Sequence, residues 1–225
     1  MSMKFVIRSC EKRKWYVDWY IVPELQRQGV EKDDIIVLND VSGMGNLRSF
    51  LFMCNYVVKN DIGDSWYLQD DILLSSNFVK TCMEMRKDIV VNGFVYADPA
   101  GNDNYKYVGL QKPNRYWFSF PCCYIPVKYI QEFLRWFDEI LVAGKYKKMI
   151  SRNMYDDLFF WKYMQEKHAE HHIYNASPNL VNHIDYMLGG SCLPYQKCKI
   201  RHAYFWNEPE KIEEIQKRIN EVKGT

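Results

Sequence analysis

The stretch Ser65–Phe78, SWYLQDDILLSSNF, decides how this chain is read. Its first half is apolar and aromatic, the composition of a buried strand. The run then meets two adjacent carboxylates, Asp70 and Asp71. Like charges side by side repel unless a cation shares the site. Either this is a solvated turn, or a divalent metal sits there. Ser75 or Ser76 then offers an N-cap for a helix through SSNFVKTCMEMRKD.

Working outward, MKFVIRSC reads as a first strand. EKRKWYVDWYIVPELQRQG is helical up to a C-cap at Gly29, with a break or kink at Pro23. DDIIVLND is a second strand ending at Asp40, and GMGNLRSFLFMCNYVVKN turns from glycines into helical spacing. SWYLQDDI is the third strand, and IVVNGFVYAD the fourth, ending at Asp98. Alternating strands and helices predict an α/β fold: a Rossmann-like, mostly parallel central sheet flanked by helices. Ligands bind at the carboxyl ends of such strands. Arg8 to Arg13, Asp40, Asp70, Asp71 and Asp98 all fall there.

The second half is less regular. NRYWFSFPCCYIPVKYIQEFLRWFDEIL gives a strand or loop and then a helix from near Pro126. NMYDDLFFWKYMQEKH is a helix with Asp156 and Asp157 in its first turn, where the helix dipole favours negative charge. HHIYNASPNLVNHID holds a short strand and a loop, and EPEKIEEIQKRINEVK is an amphipathic packing helix or exposed tail.

Composition sets bounds. The chain has 225 residues and 48% hydrophobic content, enough for a single packed domain. We divide it into two halves (1–98 and 99–195) and a C-terminal extension with a helix (196–225). A net charge of +2 is no strong nucleic-acid footprint, although local basic stretches exist in QKPNRYWF, GKYKKMISR and YQKCKIRHAYFW. Those stretches would track a phosphate backbone, or be an ordinary solvated surface. No apolar run reaches the ~18 residues of a membrane span. The N-terminal apolar run is too short for a secretory signal. The seven Cys show no C-x-x-C pair and read as reduced thiols. A cytoplasmic location is expected.

Each candidate constellation has a plain structural reading beside a chemical one. Asp70–Asp71 could hold Mg²⁺ or Mn²⁺, or simply be a solvated pair. Asp156–Asp157 could supply a general base, or only complement the helix dipole. His183 precedes a Gly-rich turn and is a ligand or a hydrogen-bonded core residue. His168, His171 and His172 hint at zinc, but no Cys cluster stands near them.

In this order the pieces resemble the nucleotide-sugar-dependent glycosyltransferases of the GT-A fold. VIRSCEKR is similar to their first strand with its Ser and Arg, LQDDI to their D-x-D-type metal motif, MYDDLFFWKYM to the acidic pair of inverting members, and PNLVNHIDYMLGGS to a closing segment with a metal-binding His. The resemblance spans roughly residues 3–191. It implies inverting transfer from a nucleoside-diphosphate sugar, a uridine diphosphate sugar in most such relatives. Asp71 and His183 would bind the metal, with Mn²⁺ preferred to Mg²⁺. Ser9, Arg13, Asp40, Asn46, Arg48, Gln69 and Asp70 would surround the nucleotide. Asp157, or failing it Asp156, would be the base. Gln69 stands where many relatives carry an acid, and the linker from Asp98 to Tyr116 is short.

The implied acceptor is a hydroxymethylated pyrimidine in phage DNA or a bacterial surface glycan (polysaccharide or lipopolysaccharide). A nucleotidyltransferase would carry a glycine-rich phosphate loop after the first strand, which RSCEKRKW does not. The reading from another class is a non-catalytic nucleic-acid- or protein-binding module, inert towards every nucleotide sugar.

Overall fold

Strands of β-branched and aromatic residues build the centre of the molecule. A computed structural model describes residues 3–85, 87–95, 109–111, 120–153, 156–168, 173–190 and 206–224. The main sheet contains β1 (Lys4–Cys10), β2 (Ile35–Asp40), β3 (Ser65–Gln69), β5 (Val90–Asn92), β6 (Gly109–Gln111), β7 (Cys122–Ile125) and β8 (Ile173–Ser177). Their spatial order is β2-β1-β3-β7-β5-β8-β6. β1 pairs parallel with β2 and β3, and β5 parallel with β8. β7 runs antiparallel to both β3 and β5, and β6 antiparallel to β8. Five strands therefore point one way and two the other, a mixed, mostly parallel α/β sheet of Rossmann-like type.

Helices cover both faces. Residues 11–27 form one helical run, α1, which passes through a 3₁₀ turn, a π-helical stretch (Val17–Ile21) and an α-helical end. The π stretch lies just before Pro23, so the helix widens there instead of breaking at the missing N–H. Gly29, at φ 94°, closes the run as expected. The other helices are α2 (Asn46–Lys59), α3 (Phe78–Glu84), α4 (Val127–Val142), α5 (Lys147–Arg152), α6 (Asp156–His168) and α7 (Pro209–Lys223). Phe5, Ile7, Trp66 and Leu68 point to one core, shared with α1, α3 and α7. Val6, Tyr67 and Cys123 point to the other, shared with α2, α4 and α6. This is the period-2 alternation of strands buried on both faces. Ile215 and Ile219 are buried, so the C-terminal segment is a packing helix and not a free tail.

Three expectations change. The third strand does not continue through the carboxylates: the chain leaves the main sheet at Asp70–Asp71 and re-enters extended structure as β4 (Ile72–Leu74). The segment before His183 is not a loop but β9 (Val181–His183), which pairs antiparallel with β4 in a separate two-stranded ribbon. Neither Ser75 nor Ser76 caps α3. Asn77 occupies that position, and the Ser76 amide and hydroxyl both donate to Glu208, at 2.9 and 2.7 Å, just before α7. The Asp98 end of the fourth strand, and His171 and His172, lie outside the described residues.

Candidate functional site

The carboxyl ends of β1 and β3 lie side by side, and the chain places its charged groups there. Asp70, immediately after β3, accepts a hydrogen bond from the Cys10 N–H at 2.7 Å, which fixes it against the end of β1. Arg13, in the first turn of α1, donates to Asp70 at 3.1 Å and also to Asp71. Its other terminal nitrogen donates to the Gly190 carbonyl at 2.6 Å. The cation that allows the two acids to adjoin is thus an arginine of the chain itself. Arg13 was expected against the nucleotide; here it lies between the acids, with all three side chains buried.

The β4–β9 ribbon brings in the distant part of the chain. Ile72 is paired with His183, and the Ile184 N–H donates to the Asp71 carbonyl at 2.8 Å. His183 Nε2 lies 3.3 Å from Asp71 Oδ2, and its Nδ1 lies 3.2 Å from Asp185 Oδ1. The ring thus lies between two carboxylates, Asp71 and Asp185. Sequence reasoning passed over Asp185; its place two residues after His183, in HID, was the available signal. Burial opposes the charged imidazole, but the Asp71 and Asp185 carboxylates outweigh it and raise the His183 pKa to about 9. Burial likewise opposes the Asp71 carboxylate, and Arg13 and His183 overcome it, holding its pKa well below the usual range. Asp70 is shifted upward by burial and by its neighbour Asp71, against the pull of Arg13.

Asp71 Oδ1 is buried with no hydrogen-bond partner. A buried acceptor in a native fold is normally satisfied, by the protein, by water or by an ion. Among the described residues, no group of three or more His, Cys, Asp or Glu side chains gathers as a complete metal shell. What exists is a carboxylate with one oxygen that has no partner and an imidazole 3.3 Å from its other oxygen.

The second acidic pair reaches the same end of β1 on the opposite face of the sheet. Arg8, two residues before Cys10, donates to Asp156 Oδ2 at 2.6 Å and to the Asn46 carbonyl at 3.0 Å. It pins the start of α6 to the start of α2. Asp156 is consumed in that buried pair. Asp157 is half-buried, and its Oδ1 accepts the Leu158 N–H at 2.7 Å. Arg8 fell within the polar group marked at the first strand's end, but its partner was not foreseeable.

The remaining expected positions divide. Ser9 and Asp40 are buried on adjoining strands, where Cys10 pairs with Asp40. Asp40 Oδ1 accepts the Ser42 N–H and hydroxyl, both at 3.1 Å. Gln69 is half-buried at the last position of β3. Asn46 takes part through its carbonyl, bound by Arg8. Arg48 is exposed, and its backbone N–H is capped by Asn153 Oδ1 at 2.9 Å. Gly45 is needed at that contact: at φ 82°, a Cβ there would lie 2.4 Å from the Asn153 side chain. His168 is held 2.6 Å from Glu132 and 2.8 Å from Tyr163 in a cluster between α4 and α6.

No protein-family model matches the chain, and no curated protein matches it. Among solved structures it is similar to A197 from STIV, with 11% identity and a TM-score of 0.43 over 81% of this chain and 86% of that one. So distant a likeness carries no argument, and the functional reading rests on the site. Among the described residues, no helix is long and apolar enough to cross a membrane.

Proposed function

We propose that the chain is a metal-dependent glycosyltransferase that moves a sugar from a nucleoside diphosphate, uridine diphosphate in our reading, to an acceptor hydroxyl with inversion. One observation carries it: the β4–β9 ribbon sets His183 3.3 Å from Asp71 at the carboxyl edge of the sheet, beside a buried Asp71 oxygen with no partner. Asp71 and His183 would hold the cation, which when bound supplies charge neutralisation for a departing diphosphate. Arg13 keeps Asp71 ionised and holds the acid pair between Cys10 and Gly190. Ser9 and Asp40, on the neighbouring strand ends, would face the nucleoside. From the start of α6, at the same carboxyl edge, Asp157 would take the proton of the acceptor hydroxyl as its oxygen bonds to the anomeric carbon and the bond to the diphosphate breaks. Asp156, held by Arg8, positions that helix start.

Calorimetry with a panel of nucleoside diphosphates, with Mn²⁺ and with Mg²⁺, tests the donor. Uridine diphosphate with Mn²⁺ is expected to bind most tightly. Tighter binding of guanosine diphosphate, or binding indifferent to metal, overturns this assignment. Asp71→Asn keeps the side-chain volume while removing the charge, and should abolish Mn²⁺-dependent nucleotide binding; retained binding would assign Asp71 to structure alone. His183→Ala should weaken Mn²⁺ affinity by about 10–100-fold while the chain stays folded by circular dichroism. Full activity of that variant at limiting Mn²⁺ would make His183 structural. Inertness of the wild type towards every nucleotide sugar would favour a binding module.

A further inference from the structure

A second concave feature shares the carboxyl edge of the sheet. β8 ends there at Ser177, opposite Gly109 at the start of β6. The β4–β9 ribbon joins this region to the acid site: Ile72 and His183 are paired at one end, and at the other the Ser75 N–H donates to the Leu180 carbonyl at 3.0 Å. Beyond Ser75, about 13 Å along the strand from Asp71, lies a cavity of about 510 Å³.

Its lining is chemically selective. Leu110, Leu180 and Trp206 supply apolar surface. The Trp206 indole N–H is already spent on the Glu208 carbonyl at 2.7 Å, so the ring is anchored and offers its carbon surface. Asn77 and Glu84 stand at the cavity with exposed side chains, available for hydrogen bonds. Among the described residues, two carboxylates, Glu84 and Glu208, line it, and no Lys or Arg does. Glu208 is already paired with Lys211 at 3.5 Å, so Glu84 is the carboxylate that would repel a phosphate or sulfate. A sugar ring matches the lining: a C–H face for the indole, and a rim of hydroxyls that donate to carboxylate and pair with amide.

We propose that this cavity binds a neutral sugar unit of the acceptor, making the acceptor an uncharged oligosaccharide and not a nucleic acid; as an acceptor site it rests on the glycosyltransferase reading above. The cavity and the acid site lie at the two ends of one rigid ribbon. A short oligosaccharide seated against Trp206 would extend along it towards Asp71.

The test is an array of neutral and phosphorylated oligosaccharides probed with the full chain, followed by calorimetry on the strongest neutral ligand. That ligand should bind about tenfold or more tightly than its phosphorylated counterpart. Trp206→Ala should weaken it by about tenfold or more, and Trp206→Phe by about threefold or less. Asn77→Leu, at an exposed N-cap whose side chain makes no capping hydrogen bond, should weaken it as well, with circular dichroism confirming that the variant is folded. Uridine diphosphate binding with Mn²⁺ should be unchanged in all three variants. Donor binding without any neutral glycan bound overturns the cavity assignment, as does glycan binding that neither Trp206→Ala nor Asn77→Leu alters, or a preference for phosphorylated ligands. Glycan binding without donor binding overturns the transferase reading and leaves the sugar site standing.

Discussion

Arg8→Met is expected to destabilise the fold by about 3–5 kcal/mol, because it leaves a buried carboxylate without its cation. Asp156 is 4% exposed and Arg8 9% exposed in the side chain, and their contact is 2.6 Å. The same guanidinium binds the Asn46 carbonyl, so the substitution also frees the start of α2 from the start of α6. Urea denaturation of the wild type and variant gives the difference directly. The double variant Arg8→Met, Asp156→Leu should recover most of the loss, since removing both charges removes the desolvation penalty along with the attraction. A loss below about 1 kcal/mol in the single variant would mean that Asp156 stays hydrated, as a surface pair does, and that the pair does not hold α6.

Asp157→Asn is expected to lower sugar transfer by about 10²–10⁴-fold, the usual range for a lost general base. Uridine diphosphate binding should persist, because Asp157 and the Asp71–His183 pair lie on opposite faces of the sheet. Inversion requires the base to stand on the side of the anomeric carbon opposite the departing diphosphate, within hydrogen-bond reach of the acceptor hydroxyl. Asp156→Asn should behave differently, losing stability through the orphaned Arg8 cation while a folded fraction still transfers. The two carboxylates are adjacent in sequence, but α6 turns them about 100° apart, so one meets Arg8 and the other does not. Near wild-type transfer in Asp157→Asn, or a product that keeps the donor's anomeric configuration, would overturn the mechanism.

The sequence by itself determined the local elements and where the acids fall on them. The apolar runs of β1, β2 and β3 and the helical spacing of α2 and α4 are short-range patterns, set by periods of 2 and 3.6 that a few residues reveal. They were sufficient to place Asp40, Asp70 and Asp71 at the carboxyl edge and Asp156 and Asp157 in a first helical turn. Pairings between remote segments carry no such signature. β4 and β9 have three residues each, too few to show a period, and they become strands only because they meet one another. From that meeting come the approach of His183 to Asp71 and the ribbon that ends in the Trp206 cavity. The antiparallel insertion of β7 between β3 and β5 is likewise a choice of neighbour, not of local propensity. Which charge meets which was also decided in three dimensions. Arg13 lies between the two acids, Arg8 reaches Asp156, and Glu208 takes the Ser76 amide that a helix-capping serine would have left to its own helix. A buried charge must find an opposite charge or a hydrogen bond somewhere, but only the packed chain specifies where.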